Sequence, residues 1–143
     1  MQRPLLTELR QIPTLGGDVF HGMKATDPGF AGFGEAYFSS VRPAYVKGWK
    51  LHELMTLNFV VPCGEIQVAV HDERSQDTEM FLLGPRSRAT YQRLTIPPGY
   101  WVAFGGVGED LNLLLNIASL PHDPNESRSL PLETFHWSWL GST

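Results

Sequence analysis

Short runs in which polar and apolar positions alternate are set between turn residues along this chain, and no stretch holds a helical period for long. Residues 65–71 show the pattern well. Ile66, Val68 and Val70 fall on one face, while Glu65, Gln67, Ala69 and His71 fall on the other. The same reading predicts early strands over 18–24 and 34–39, then strands over 57–61 and 92–96, and a last long strand over 110–118. Pro62, Cys63 and Gly64 separate two of these runs in the manner of a hairpin. Residues 72–77 are polar and turn-like, and Pro97, Pro98 and Gly99 end the 92–96 strand. Residues 121–126 read as loop, and residues 135–139 as an aromatic cap or interface segment. Many short strands with regular turns predict an all-β sandwich or barrel.

The last strand carries a sharper pattern. Asn112, Leu114 and Asn116 share one face; Leu111, Leu113, Leu115 and Ile117 share the other. The all-aliphatic face is expected in the core. The two Asn, echoed by Asn58, are either solvated or line a polar cavity, where their amides need partners.

Composition narrows the class. The 143 residues fit one domain, residues 1–143, with 42% hydrophobic and 18% charged content, which argues against disorder. The net charge of −4 has no basic stripe for nucleic acid. No apolar run approaches a membrane span, and the N-terminus lacks the form of a signal peptide. A single cysteine, Cys63, cannot form an internal disulfide, so a reducing cytoplasm is the expected setting and a structural role is expected for the thiol.

The run Tyr45-Val46-Lys47-Gly48-Trp49-Lys50-Leu51-His52, then Gly64-Glu65, Val68-Ala69-Val70, Asp72-Glu73-Arg74 and Ile96-Pro97-Pro98-Gly99-Tyr100, follow one another in a recognisable order. From residue 33 to 124 the chain resembles the nucleotide-sugar 3,5-epimerases of the cupin type, the dTDP-4-dehydrorhamnose 3,5-epimerase-like proteins. The resemblance implies a double-stranded β-helix, or jelly-roll barrel, with a nucleotide-sugar pocket at its mouth and a tendency to form homodimers.

The same resemblance shows where this chain departs. The family's motif strand reads Arg-Gly-Leu-His, its His removing the proton beside a 4-keto group; here Lys47 and Lys50 hold the Arg and His positions. Val102 stands where a second family His follows the Pro-x-Gly turn, and the strand that supplies the family's acid Tyr has none. Two substrate-contacting amides of the family align with Glu35 and Tyr37. A cupin metal site needs a His-x-His pair and a His at the Val102 position, so neither metal nor other cofactor is expected.

Lys50 and His52 are two apart and share a face with Val46 and Gly48, whereas Lys47, Trp49 and Leu51 take the other. If the first face looks into a barrel, desolvation favours the neutral amine of Lys50 as a base or electrophile and keeps His52 neutral beside it. Tyr91 is the candidate replacement for the missing phenol, with Tyr37 as another. Arg42, Lys47 and Arg93 are candidate diphosphate partners. Trp101 either covers the pocket or belongs to the core. Glu35, Tyr37, Asn58, Asn112 and Asn116 complete the candidate contacts. The expected function is metal-independent epimerisation or isomerisation of a sugar or nucleotide-sugar by proton transfer next to a carbonyl. The alternative is a cupin that binds such a ligand without turning it over.

Overall fold

The structure is a computed structural model and describes residues 2–85 and 90–140. Its strands are β1 (Leu5–Glu8), β2 (Gln11–Ile12), β3 (Val19–Phe20), β4 (Glu35–Ser40), β5 (Val46–His52), β6 (Leu57–Cys63), β7 (Ile66–Asp72), β8 (Asp77–Leu83), β9 (Gln92–Ile96), β10 (Trp101–Gly106), β11 (Leu113–Ala118) and β12 (Ser127–Ser129). Among the described residues the helical content is two short 3₁₀ turns, Pro124–Glu126 and Leu132–Thr134. One sheet has the order β1-β9-β6-β11-β4 and the other β12-β5-β10-β7-β8, with β2 and β3 forming a separate ribbon. Every strand pair is antiparallel, and the two five-stranded sheets face each other as a jelly-roll, double-stranded β-helix.

The core lies between the sheets. Ile66, Val68 and Val70 point inward from β7, as their alternation predicts, and meet Leu57, Phe59 and Val61 of β6 with Leu94 and Ile96 of β9. Their outward neighbours Gln67, Ala69 and His71 are buried as well, because residues 130–140 fold back over that sheet. Trp49, Leu51, Ala69, Trp101 and Ala103 form this outer layer, packed by Leu130, Phe135 and Trp139. The aromatic tail therefore caps its own barrel. The Trp49 indole N–H donates to the Leu132 carbonyl at 3.0 Å, and His71 stacks on Phe135 with 4.0 Å between ring centres.

Three expectations change on folding. Pro62, Cys63 and Gly64 do not close a hairpin: β6 and β7 belong to different sheets, so this turn is a corner. Gly64 takes φ +81° there, and a Cβ would sit 2.3 Å from the Leu111 carbonyl oxygen. The hairpin lies at the next turn, where Asp72 pairs with Asp77 across β7 and β8. The predicted strand over 18–24 shrinks to the two residues of β3, because the chain beyond it lies over the outer face of the first sheet and bonds to side chains there. Lastly, the faces of β11 are reversed. Leu114, Asn112 and Asn116 are buried, while Leu113, Leu115 and Ile117 are half-exposed on the outside. Count of aliphatic residues suggested the opposite, but the barrel interior is partly a polar cavity, and amides with fixed partners are at home there.

Candidate functional site

A cavity of about 260 Å³ opens between the sheets, lined by Tyr37 and Ser39 of β4, Asn116 of β11, Leu57 and Phe59 of β6, Lys47, Gly48, Lys50 and His52 of β5, and Val102 and Phe104 of β10. Lys50 pairs with Val102 across the β5–β10 ladder, so the Lys50/His52 face looks inward as expected. Lys47 breaks the alternation. The register slips between Val102 and Phe104, with Phe104 opposite Lys47, and this irregularity turns Lys47 into the cavity 6.0 Å from the centre of the Phe104 ring. Two ammonium groups thus flank the opening. Lys50 is exposed, so the desolvation expected for a lysine inside a barrel is not supplied by this fold.

His52 is better enclosed, with 12% of its side chain exposed. Its Nδ1 meets Oε1 of Glu126, which is itself 6% exposed. The other carboxylate oxygen accepts the backbone N–H groups of Leu54 at 3.1 Å and Met55 at 3.2 Å. Burial pushes the Glu126 carboxyl up, but the hydrogen bonds from His52, Leu54 and Met55 outweigh it and leave the group below its usual value. An ionised Glu126 at Nδ1 fixes the ring orientation and leaves Nε2 as the free nitrogen. Strand β12 explains the placement: it pairs with β5, Ser127 opposite His52, and so brings the residue before it alongside the imidazole.

Across the cavity, Tyr37 and Asn116 are directly paired between β4 and β11, and the Asn116 amide N–H donates to the Tyr37 phenol at 3.0 Å. A phenol that the family resemblance places on the last strand is thus available from the adjacent strand.

The remaining sequence candidates lie elsewhere. Tyr91 is on the outer face of the first sheet, donating to the His21 carbonyl, and burial pushes its phenol up. Arg93 is 0% exposed on that same face, donating to the carbonyls of Gly22 (2.9 Å) and Pro28 (2.8 Å) and to Asp27 (3.3 Å). It staples the 20–30 segment to the barrel and is not available to a diphosphate. Asn58 turns to the same side, donating to the Gly29 carbonyl and accepting from Thr95. Asn112 is structural, holding the N–H of Glu65 and the carbonyls of Val41 and Gly108. Trp101 belongs to the outer layer, its indole donating to Glu73. Arg42 is exposed and Glu35 half-buried, and neither is among the lining residues.

Sequence reading missed Glu126, Ser39 and Phe104. Glu126 lies 74 residues from His52 in a segment that reads as loop, and no local pattern marks it. A larger cleft of about 460 Å³ lies at the β7–β8 end, but its charges pair with one another, Arg3 with Glu79 and Arg74 with Asp72. Among the described residues, no group of three His, Cys, Asp or Glu side chains is arranged to hold a cation.

No family model matches the chain. The solved dTDP sugar isomerase of Desulfovibrio desulfuricans G20 is 39% identical, superposes with a TM-score of 0.89, and the match covers 98% of this chain and 92% of that one. The dTDP-4-dehydrorhamnose 3,5-epimerase of Sulfolobus tokodaii (17% identity, TM-score 0.78, 98% of this chain and 84% of that) shares the fold. So does the sugar 3,4-ketoisomerase QdtA of Thermoanaerobacterium thermosaccharolyticum, solved with TDP (16%, 0.74, 88% and 87%). A curated relative, the probable low-salt glycan biosynthesis epimerase Agl13 of Haloferax volcanii, is 29% identical over 102 residues, 65% of this chain and 64% of that protein, slightly under two thirds of the relative's length. The identity to the Desulfovibrio protein over nearly the full length of both chains, on a shared jelly-roll barrel, shows that this chain belongs to the dTDP-4-dehydrorhamnose 3,5-epimerase-like family of nucleotide-sugar epimerase and isomerase cupins.

Proposed function

We propose that this protein epimerises or isomerises a 4-keto sugar carried on a nucleoside diphosphate, with dTDP as the carrier. The observation that carries the reading is the enclosed His52–Glu126 pair facing the Tyr37 phenol across one cavity. Nε2 of His52 takes the proton from the carbon next to the carbonyl, and the electron pair moves into an enolate. Glu126 stabilises the imidazolium that forms. The Lys50 ammonium, on the same strand face, faces the developing oxyanion, and Tyr37 returns a proton from the other wall. Lys47 at the cavity edge meets the diphosphate. The names of the relatives support the substrate class, a dTDP sugar for the Desulfovibrio protein and TDP as the ligand of QdtA.

The test is solvent exchange. Incubation with dTDP-4-keto-6-deoxyglucose in D₂O should place deuterium on the carbon beside the ketone, and His52→Gln and Lys50→Ala should each abolish it. Exchange that persists in both variants would overturn the assignment of these residues. Tight binding of nucleotide sugars without exchange or new product in the wild type would favour a binding cupin instead.

A homodimer is part of the proposal. Phe38 is 62% exposed on the outer face of β4, beside half-exposed Leu113, Leu115 and Ile117 of β11, and such a strip is stable in water when a second copy covers it. A reducing cytoplasm fits the single, exposed Cys63 thiol. No helix among the described residues is long and apolar enough to cross a membrane.

A further inference from the structure

Asn116 is 1% exposed and makes two hydrogen bonds of opposite polarity. One partner settles its orientation. The backbone N–H of Asn58 has only a proton to give, and it lies 3.1 Å from one end of the amide, so that end is the carbonyl oxygen Oδ1. The other end is then Nδ2, a donor, and it lies 3.0 Å from the Tyr37 oxygen. Tyr37 must accept this bond. Its own O–H cannot point back at Asn116, and the phenol lines the cavity that holds His52.

We infer that Asn116 is a positioning residue that sets the polarity of Tyr37, forcing the phenol to present its proton to the ligand and steadying the phenolate left behind. The inference rests on the proton-transfer reading above for its chemical consequence, but the polarity itself follows from the barrel. In the reaction, His52 removes the proton beside the carbonyl and the electron pair forms an enolate. Tyr37 gives its O–H proton to the enolate and becomes a phenolate, accepting from Asn116 Nδ2. Solvent then reprotonates the phenolate and takes the proton from His52, so protons and charges balance. The strand pairing makes this arrangement rigid. Tyr37 and Asn116 are register partners between β4 and β11, and Asn58 belongs to β6 on the other side of β11, so three adjacent strands fix one proton.

The substitution Asn116→Asp is the sharp test, because a carboxylate keeps the acceptor for Asn58 while replacing the donor facing Tyr37 with a second acceptor. The phenol then donates to Asp and turns its proton away from the cavity. The tyrosine doublet in ultraviolet resonance Raman distinguishes an accepting from a donating phenol, and subtracting the spectrum of Tyr37→Phe isolates Tyr37. The wild type should show an accepting Tyr37 and Asn116→Asp a donating one. A donating Tyr37 in the wild type would overturn the inference. In turnover, Asn116→Asp and Tyr37→Phe should each lower kcat by about 10²-fold or more with little change in KM, and the double variant should be no slower than Tyr37→Phe alone. Multiplying losses would also overturn the inference, since a purely structural Asn116 acts independently of the phenol. An accepting wild-type Tyr37 in a protein that turns over no keto sugar would leave the polarity standing and remove the epimerase or isomerase reading.

Discussion

Glu126 is held by three groups at once, and all three belong to β5 or the turn after it. Its Oε1 meets His52, and its Oε2 takes the N–H groups of Leu54 at 3.1 Å and Met55 at 3.2 Å. The carboxylate therefore sees both the imidazole and the backbone that carries the imidazole onward. Orientation of the ring and geometry of the strand end are a single property here.

Replacing this carboxylate by an amide should separate the two. In Glu126→Gln the amide oxygen can still accept from Leu54 and Met55, but the ionic partner of the imidazolium is gone. Deuterium exchange should slow by about 10²–10⁴-fold, the range for loss of effective general-base catalysis. The sign of the pH effect follows from the lowered carboxyl. A carboxylate favoured by folding adds stability above its unfolded value near 4.5 and loses it as pH falls through the folded value. Urea midpoints of the wild type and variant should differ at pH 7 and converge in acid. A constant gap would mean that the carboxylate charge plays no part in holding the strand.

Arg93 serves as a control for the site assignment. In Arg93→Met the part-buried carbonyls of Gly22 and Pro28 lose their guanidinium donor, and a hydrogen bond to a charged group contributes about 1.5–3 kcal/mol. Thermal midpoints should drop by roughly 3–5 °C per kcal/mol for a chain of this size. The KM for a nucleotide sugar, measured well below the melting transition, should not move. A raised KM would return Arg93 to the diphosphate site from which its burial on the outer face excludes it.

His71 should make the fold sensitive to mild acid. Burial against Phe135 holds its imidazole below the usual value, against the pull of the Glu73, Asp72 and Asp77 carboxylates, while Nδ1 is bonded to Thr78 at 2.8 Å. A depressed histidine leaves the unfolded chain binding more protons as pH falls below about 6.5, so stability declines there and levels off below the folded value. Chemical denaturation between pH 8 and 5 should show that decline in the wild type and a flatter profile in His71→Gln. Parallel profiles would show that the stacked ring does not titrate with unfolding.

Phe38 offers the test of assembly. A charge on the outer face of β4, in Phe38→Glu, should convert a dimer to a monomer in sedimentation velocity without lowering the thermal midpoint of the monomer fold, since the side chain is 62% exposed within one chain. A wild type that sediments as a monomer at high concentration would remove the dimer from the proposal.

Periodicity made β6, β7, β9 and β11 legible in the sequence and put Lys50 and His52 on one face; that this face looks inward came from the family resemblance. What it did not reveal follows from interactions between distant segments. Alternation alone could not tell that the chain after β3 covers one outer face and residues 130–140 the other, so Tyr91, Arg93 and Trp101 looked available when they are built into those layers. The slip in the β5–β10 register, which brings Lys47 to the cavity, depends on a partner strand more than 50 residues on. Glu126 carries no local mark at all; its meaning comes from β12 pairing with β5.

That last pairing has a consequence for the order in which the protein becomes competent during synthesis. All the strands that enclose the cavity are complete by Ala118, and the core between the sheets can assemble from them. Until residues 126–129 leave the ribosome, however, β5 keeps a bare edge and His52 has no carboxylate beside it. The nascent barrel therefore holds its cavity before His52 gains its carboxylate, and the β12 pairing both supplies that partner and hides an edge that another chain would otherwise find.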